Sequence, residues 1–201
     1  MIPKVLHRVW LGPNPPGDTY LANWREWCPD WTIRTWGDEA LSSVDVPYVK
    51  EALTARKWAF ASDYLRLLVL YREGGFYLDT DVELTSDFGP CLNDSFCVSL
   101  TKNGIPLTAV IGAEPGNALV KELLDGYGCG HFDKGHGVYD ERPINLRVRG
   151  VFRRRGIRLE TMDFNAVHEP MPGVRLYPRC LFAIRLGRFV FACVKCLKGE
   201  E

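Results

Sequence analysis

The segment Ala61-Ser62-Asp63-Tyr64-Leu65-Arg66-Leu67-Leu68-Val69-Leu70-Tyr71-Arg72-Glu73-Gly74-Gly75-Phe76-Tyr77-Leu78-Asp79-Thr80-Asp81-Val82-Glu83-Leu84 changes its periodicity at the glycine pair. Before the pair, Tyr64, Leu67, Leu68 and Tyr71 recur at helical spacing while Leu65 and Val69 widen the apolar face, which predicts a helix over 62–73. Gly74-Gly75 supplies its stop. After the pair, alternation predicts a strand over 76–84. Phe76, Leu78, Thr80, Val82 and Leu84 then lie on one face, and Tyr77, Asp79, Asp81 and Glu83 on the other.

The same pattern repeats outward. Val5 to Leu11 is apolar and β-branched, and it runs into Gly12-Pro13-Asn14-Pro15-Pro16-Gly17, so it predicts a buried strand followed by an irregular loop. Further strands are expected at 32–36, 96–100 and 108–112. Helices are expected at 20–27, 48–60, from Asn117 towards Tyr127, and over 144–155, with a glycine-rich loop over 126–137. Strands alternating with helices imply an α/β sheet with covered faces. In such sheets ligands bind at the carboxyl ends of the strands, where both Gly12 and the acidic cluster fall.

Asp79 and Asp81, two residues apart on one strand face, stand ~6.6 Å apart along the chain. Like charges so placed repel unless a cation or a donor-rich ligand neutralises them. Oxygen-only donors suit Mn²⁺ or Mg²⁺, with phosphate oxygens and waters completing the shell. A bare Asp-x-Asp reads first as backbone capping or arginine pairing. Asp63 and Arg66 sharpen the choice, because at i and i+3 they share one face of the preceding helix. With Asp63 in that helix's first turn, a carboxylate and the helix N-terminus point the same way, and Arg66 reaches Asp79 or a ligand oxygen. An aspartyl phosphotransferase would want Thr or Val where Glu83 stands.

The 201 residues suffice for one domain, and a composition 46% hydrophobic and 25% charged excludes a disordered or fibrous chain. Net charge is zero but unevenly placed: residues 1–141 carry 12 basic and 20 acidic side chains, and residues 142–201 carry 13 and 5. A basic C-terminal part suits work near phosphates or an anionic membrane; a solvated run of arginines reads equally well. The run Arg153-Arg154-Arg155 lacks the interleaved aromatics of a nucleic-acid site, so no nucleic acid is expected. Seven cysteines without regular spacing and no leader-like N-terminus favour reduced thiols and a cytoplasmic location. Cys193-x-x-Cys196 is a weak metal or redox signal beside ordinary buried thiols. The tryptophans (10, 24, 27, 31, 36, 58) lie early in the chain, and one at a strand end could stack on a planar ring.

From Ala61 to Val82 the sequence resembles the DXD-type sugar-binding-region glycosyltransferases. That family includes bacterial capsular-polysaccharide enzymes, fungal initiating α-1,6-mannosyltransferases and, distantly, the glucosylating clostridial toxins. Ile2-Pro3-Lys4-Val5-Leu6-His7-Arg8-Val9-Trp10-Leu11-Gly12 is similar to the family's first strand, and Ala109 to Asn117 to its later strand and the start of the helix after it. The resemblance implies a GT-A fold: a Rossmann-like α/β domain, with a mostly parallel mixed sheet and helices on both faces, binding a nucleotide-sugar and Mn²⁺ or Mg²⁺. It implies that Asp81 chelates the metal and that Asp79 contacts ribose or donor sugar and the metal's water shell. Asp63 and Arg66 would hold sugar hydroxyls, Ser62 and Ala59 would line that pocket, and Val9, Trp10 and Leu11 would cradle the base. A retaining transfer of a hexose to a glycan or lipid-linked acceptor, in surface or capsular polysaccharide synthesis, follows as the expected activity. No carboxylate nucleophile is assigned.

The expected organisation is a single domain, with a nucleotide-sugar and metal-binding core over 1–141 and a basic, divergent or truncated part over 142–201. Family members usually end in a His-containing segment and a Ser-Trp pair, without counterpart in Phe189 to Lys198; His168 lies upstream. A divergent closing segment, a truncated product and a partner supplying the missing piece remain open. A non-catalytic nucleotide-sugar or glycan-binding domain is the alternative function. The tail from Cys180 to Lys198 mixes bulky apolar residues with Arg185, Arg188, Lys195 and Lys198. It reads as a peripheral membrane contact or as an ordinary buried hairpin or helix.

Overall fold

The computed structural model describes residues 1–14 and 17–178, together with the backbone of 184–186 and 189–191. In chain order the elements are β1 (Val5–Val9), α1 (Thr19–Trp27), β2 (Thr32–Trp36), α2 (Pro47–Thr54), α3 (Trp58–Glu73), β3 (Gly75–Leu78), β4 (Val82–Leu84), β5 (Phe96–Leu100), β6 (Pro106–Ala113), α4 (Ala118–Gly128), α5 (Ile144–Arg154), β7 (His168–Met171), β8 (Val174–Pro178), β9 (Ile184–Leu186) and β10 (Phe189–Phe191). The side chains of the 180–198 tail, with its expected membrane contact, and the pair Cys193 and Cys196 lie outside the described residues. No described helix is long and apolar enough to cross a membrane.

Among the described residues a seven-stranded sheet runs in the order β2-β1-β3-β6-β5-β8-β7. β1 pairs parallel with β2 and β3, β5 pairs parallel with β8, and β6 runs antiparallel to both its neighbours. With β7 antiparallel to β8, only β6 and β7 oppose the common direction, so the sheet is mixed and mostly parallel, as the resemblance implied. Strands from the basic C-terminal part complete the same sheet as those of the acidic body.

Side chains alternate across this sheet to build two cores. Tyr77, Phe96, Val98 and Ile111 face a cluster that includes α2, α3, α4 and α5. Phe76, Leu78, Cys97 and Val110 face the opposite way, against Leu21, Trp24 and Cys28 at α1. Helices therefore cover both faces. The glycine pair permits the passage from α3 into β3. Gly75 has φ 98°, and a Cβ there would meet the Val5 carbonyl oxygen at 2.6 Å, so β1 could not approach β3 with a larger residue.

Two sequence expectations need correction. The strand expected over 76–84 is broken: β3 ends at Leu78, Asp79–Asp81 form a turn closed by Val82 N–H to Asp79 C=O at 3.1 Å, and β4 starts a second sheet with β9 and β10. Aspartates at such a position favour a turn over a continued ladder. α1 then holds β4 in place: Asn23 exchanges hydrogen bonds with the Leu84 carbonyl (2.9 Å) and amide (2.7 Å), and Trp24 Nε1–H donates to the Val82 carbonyl at 2.8 Å. The helix expected over 48–60 is also broken. Arg56 takes φ 55°, α2 stops at Thr54, and the next helix begins at Trp58 rather than Ser62. Asp63 consequently sits in the second turn of α3, not the first, and the helix N-terminus is not beside it.

His7, fully buried in β1, ties the sheet to its neighbours. Trp36 Nε1–H donates to Nδ1 at 3.0 Å, so Nδ1 is an acceptor and the proton sits on Nε2, which donates to the Gly74 carbonyl at 2.8 Å. Burial holds this imidazole's pKa below its ordinary value, with the Gly74 bond working the other way. A group whose folded pKa is depressed loses stability as pH falls, because the unfolded chain takes up the proton first. We expect the denaturant midpoint to drop between about pH 7 and about pH 5. That slope should be shallower in His7→Gln, whose amide retains an acceptor and a donor without titrating; equal slopes would remove His7 as the cause.

Candidate nucleotide-sugar site

A cleft of about 430 Å³ opens where the carboxyl ends of β1 and β3 meet the start of α3. Its lining comprises Val9 at the end of β1 with Trp10 and Leu11 beyond it, Trp58, Ala59, Ser62 and Arg66 on α3, and Tyr77 in β3 with Asp79, Thr80 and Asp81 after it. Helix geometry explains the α3 set, since positions 58, 62 and 66 follow one another at i, i+4 and i+8 along a single face. The early start of α3 therefore places Trp58 on the cleft wall.

Behind the wall lies a chain of charges. Arg66 Nη2 pairs with Asp63 Oδ1 at 2.9 Å, and Nη1 donates to Asp79 Oδ1 at 3.0 Å and to the Thr108 carbonyl at 3.2 Å. The Arg66 guanidinium also lies 4.4 Å from the centre of the Tyr77 ring, whose hydroxyl donates to the same Asp79 oxygen at 2.7 Å. Two donors converging on Oδ1 fix the Asp79 side chain and leave Oδ2 without a bond to either of them. Burial pushes the Asp63 carboxyl above the usual carboxylate range, with the Asp79 charge adding to it and Arg66 opposing. Burial works against the Arg66 charge, yet Tyr77, Asp79 and Asp63 together hold the guanidinium above its ordinary value.

Asp81 is exposed at the cleft. Burial of part of its carboxyl, and then the charge of Asp79, raise its pKa above the ordinary value. A cation at this place would relieve that repulsion, and the all-oxygen donor set suits Mn²⁺ or Mg²⁺. The residues present fit such an ion. Two cleft residues also carry buried donors with no hydrogen-bond partner among the described residues, Trp10 Nε1 and Arg66 Nε. Orphaned buried donors are costly, and a ligand acceptor would satisfy them.

Of the residues singled out from sequence, Val9, Trp10, Leu11, Ala59, Ser62, Arg66, Asp79 and Asp81 all line this one cleft. Asp63 does not line it and stands behind Arg66. Trp58, Tyr77 and Thr80 line it without having been singled out. Of these, Trp58 carried the clearest signal, an aromatic four residues before Ser62.

Residues 18–97 match the family described as "Glycosyltransferase sugar-binding region containing DXD motif". The matched stretch contains α3, the Asp79–Asp81 turn and most of the cleft. Over that stretch the chain is similar to a DXD-type sugar-binding region. Among solved structures, "PaToxG Glycosyltransferase" superposes with a TM-score of 0.52 at 21% identity, over 62% of this chain and 59% of that one. The chain thus spans about three-fifths of that structure's length. At that identity the likeness speaks for the fold alone, a GT-A-like α/β architecture. Comparison with curated proteins gives no match.

The cleft wall depends on a close contact with the loop after β1. Gly12, at φ 83°, lies under Trp58, and a Cβ there would fall 1.2 Å from Trp58 Nε1. Its amide is held by the Asp38 carboxylate at 3.3 Å. Gly12→Ala must therefore push the Trp58 ring out of the cleft wall as well as strain the backbone. We expect nucleotide affinity to fall by on the order of tenfold, with α-helical circular dichroism unchanged, given a loss of ~1–3 kcal/mol shared between strain and lost stacking. Unchanged affinity, measured by titration calorimetry, would exclude Trp58 from the binding surface.

Proposed function

We propose that the chain is a metal-dependent glycosyltransferase that moves a hexose from a nucleotide-sugar to a glycan or lipid-linked acceptor, with retention of configuration. Surface or capsular polysaccharide synthesis is the setting that fits such an acceptor. The observation that carries this reading is the convergence of Asp79, Asp81, Arg66 and Trp10 on one cleft at the carboxyl ends of β1 and β3. Such strand ends are where α/β sheets bind nucleotides.

In this reading Asp81 holds a Mn²⁺ or Mg²⁺ ion directly and Asp79 contributes through its free oxygen or a water. The ion supplies Lewis-acid neutralisation of a diphosphate leaving group. Trp10 stacks on the base with Val9 and Leu11 beside it, which orients the nucleotide along the β1 end. Arg66 offers its unpartnered Nε–H to a donor oxygen, while Asp63 behind it holds the guanidinium in place. Ser62 and Ala59 shape the sugar pocket, where small side chains leave room for a hexose. Tyr77 keeps its proton, because burial raises its pKa well above the ordinary value, and so remains a donor to Asp79 across the working pH range. With departure assisted at the diphosphate, the leaving phosphate oxygen accepts the acceptor hydroxyl's proton, and no second carboxylate has to act as nucleophile. Residues 1–141 serve as the donor-binding core of a single domain, and the basic part over 142–201 serves the acceptor side, including a peripheral membrane contact.

A thermal-shift screen of nucleotide-sugars with and without Mn²⁺ tests this, followed by donor hydrolysis with the best ligand. A metal-dependent shift with one nucleotide class, and turnover of that donor, is the expected result. A shift without turnover with any acceptor would make the chain a binding domain. No shift with any donor would end the reading.

A further inference from the structure

On the α1 side of the sheet lies a group of donors that the cleft does not use. Cys91 and Asp94 are 1% exposed and Cys97 is fully buried, and a ligand atom from each lies within 4.8 Å of the others. Tyr177 joins them: its hydroxyl donates to Asp94 Oδ2 at 2.7 Å and also hydrogen-bonds with Cys91, which in turn is hydrogen-bonded to Cys97. The four come from different places: the turn at Gly89–Cys91, the loop after it, β5 and β8. Gly112, opposite Cys97 in the β5–β6 ladder, makes room for this arrangement, since a Cβ there would lie 2.5 Å from Cys97 Sγ.

Two buried thiols alone would be small apolar core residues. The carboxylate changes that. Asp94 is buried, and among the described residues a single cation is in reach, Arg175 at 3.4 Å, whose side chain is 41% exposed. A buried carboxylate needs fuller compensation than one distant, partly hydrated arginine provides. We propose that Cys91, Cys97, Asp94 and Tyr177 form a structural zinc site that ties the 89–94 segment to β5 and β8. Binding releases the two thiol protons to solvent. Two thiolates and one carboxylate then face a dication, and the single negative charge left over is matched by Arg175. The Tyr177 hydroxyl is a neutral fourth donor. Sulfur with oxygen in a closed four-fold set selects Zn²⁺, whereas the oxygen-only Asp79 and Asp81 pair selects Mn²⁺ or Mg²⁺, so the two sites take different metals.

The test is metal analysis of the full chain purified without chelator, followed by Co²⁺ substitution of the stripped protein. One zinc per chain and a near-ultraviolet thiolate-to-cobalt charge-transfer band with tetrahedral visible absorption are expected. The band should be lost in Cys97→Ser and kept in Asp81→Asn, which separates this site from the cleft. Because a cysteine variant can fail to fold, Tyr177→Phe serves as a second probe. It keeps the ring in the core, and cobalt affinity should fall about 10–100-fold. Oxygen-only cobalt spectra, a band that survives Cys97→Ser, unchanged cobalt affinity in Tyr177→Phe, or a metal-free protein that takes up no cobalt when reduced would each overturn the proposal.

Discussion

Asp81→Asn should lower metal-dependent turnover of the donor by on the order of 10²–10³-fold while leaving the thermal midpoint in the absence of metal unchanged or raised. The first half follows from position. Asp81 is the exposed carboxylate of the turn, and the amide keeps its size while removing the charge that would grip a dication. The second half follows from the raised pKa of Asp81, to which the neighbouring Asp79 charge contributes after burial. Removing one of two repelling charges relieves the apo protein. Donor hydrolysis at several Mn²⁺ concentrations, with differential scanning fluorimetry on the same samples, measures both. A variant as active as wild type would move the metal elsewhere, and one that is inactive but also unfolded would make Asp81 structural.

Arg66→Ala should be the most destabilising substitution in the cleft, by about 3–5 kcal/mol. Arg66 is 7% exposed and pairs with Asp63, itself 8% exposed, and with Asp79, so truncation leaves two carboxylates facing each other without their shared cation. The Tyr77 ring also loses the guanidinium packed 4.4 Å from its centre. Asp63→Asn in the same background should recover part of the loss, because the carboxyl that burial already disfavours as an anion is then neutral. Urea unfolding of wild type, both single variants and the double variant measures the coupling. Additive losses would mean that the two side chains do not act as a pair. Arg66→Lys keeps the charge but cannot reach Asp63, Asp79 and Thr108 from one planar group, so it should fold better than the alanine variant and still bind donor weakly.

Three of the sheet's strands were legible because their signal is local. Val5–Val9, Thr32–Trp36 and Phe96–Leu100 are short apolar or β-branched runs bounded by turn formers, and each forms a strand. The Asp79–Asp81 turn was not legible, since alternation continues unbroken from Phe76 to Leu84. What completes the break is tertiary: α1 captures Leu84 and Val82 for a second sheet. The break between α2 and α3 rests on a left-handed Arg56, a conformation that arginine does not announce. β7, with His168, Glu169, Pro170 and Met171, has no strand periodicity, and it forms because β8 offers it an edge. The cleft was more readable than the fold around it. Strand ends and a helix face collect Trp10, Ser62, Arg66, Asp79 and Asp81 whether or not the turn is foreseen. Asp63 shares a helix face with Arg66, but its place behind that residue depends on where α3 starts.

Titration calorimetry of a nucleoside diphosphate into the wild-type chain and Asp81→Asn, each with Mn²⁺ and with chelator, tests the carboxylate turn most directly. Binding by the wild type only when Mn²⁺ is present, and none by Asp81→Asn in either condition, is the expected outcome. Equal affinity in all four titrations would show that the turn holds no metal for the diphosphate and that the cleft serves another ligand.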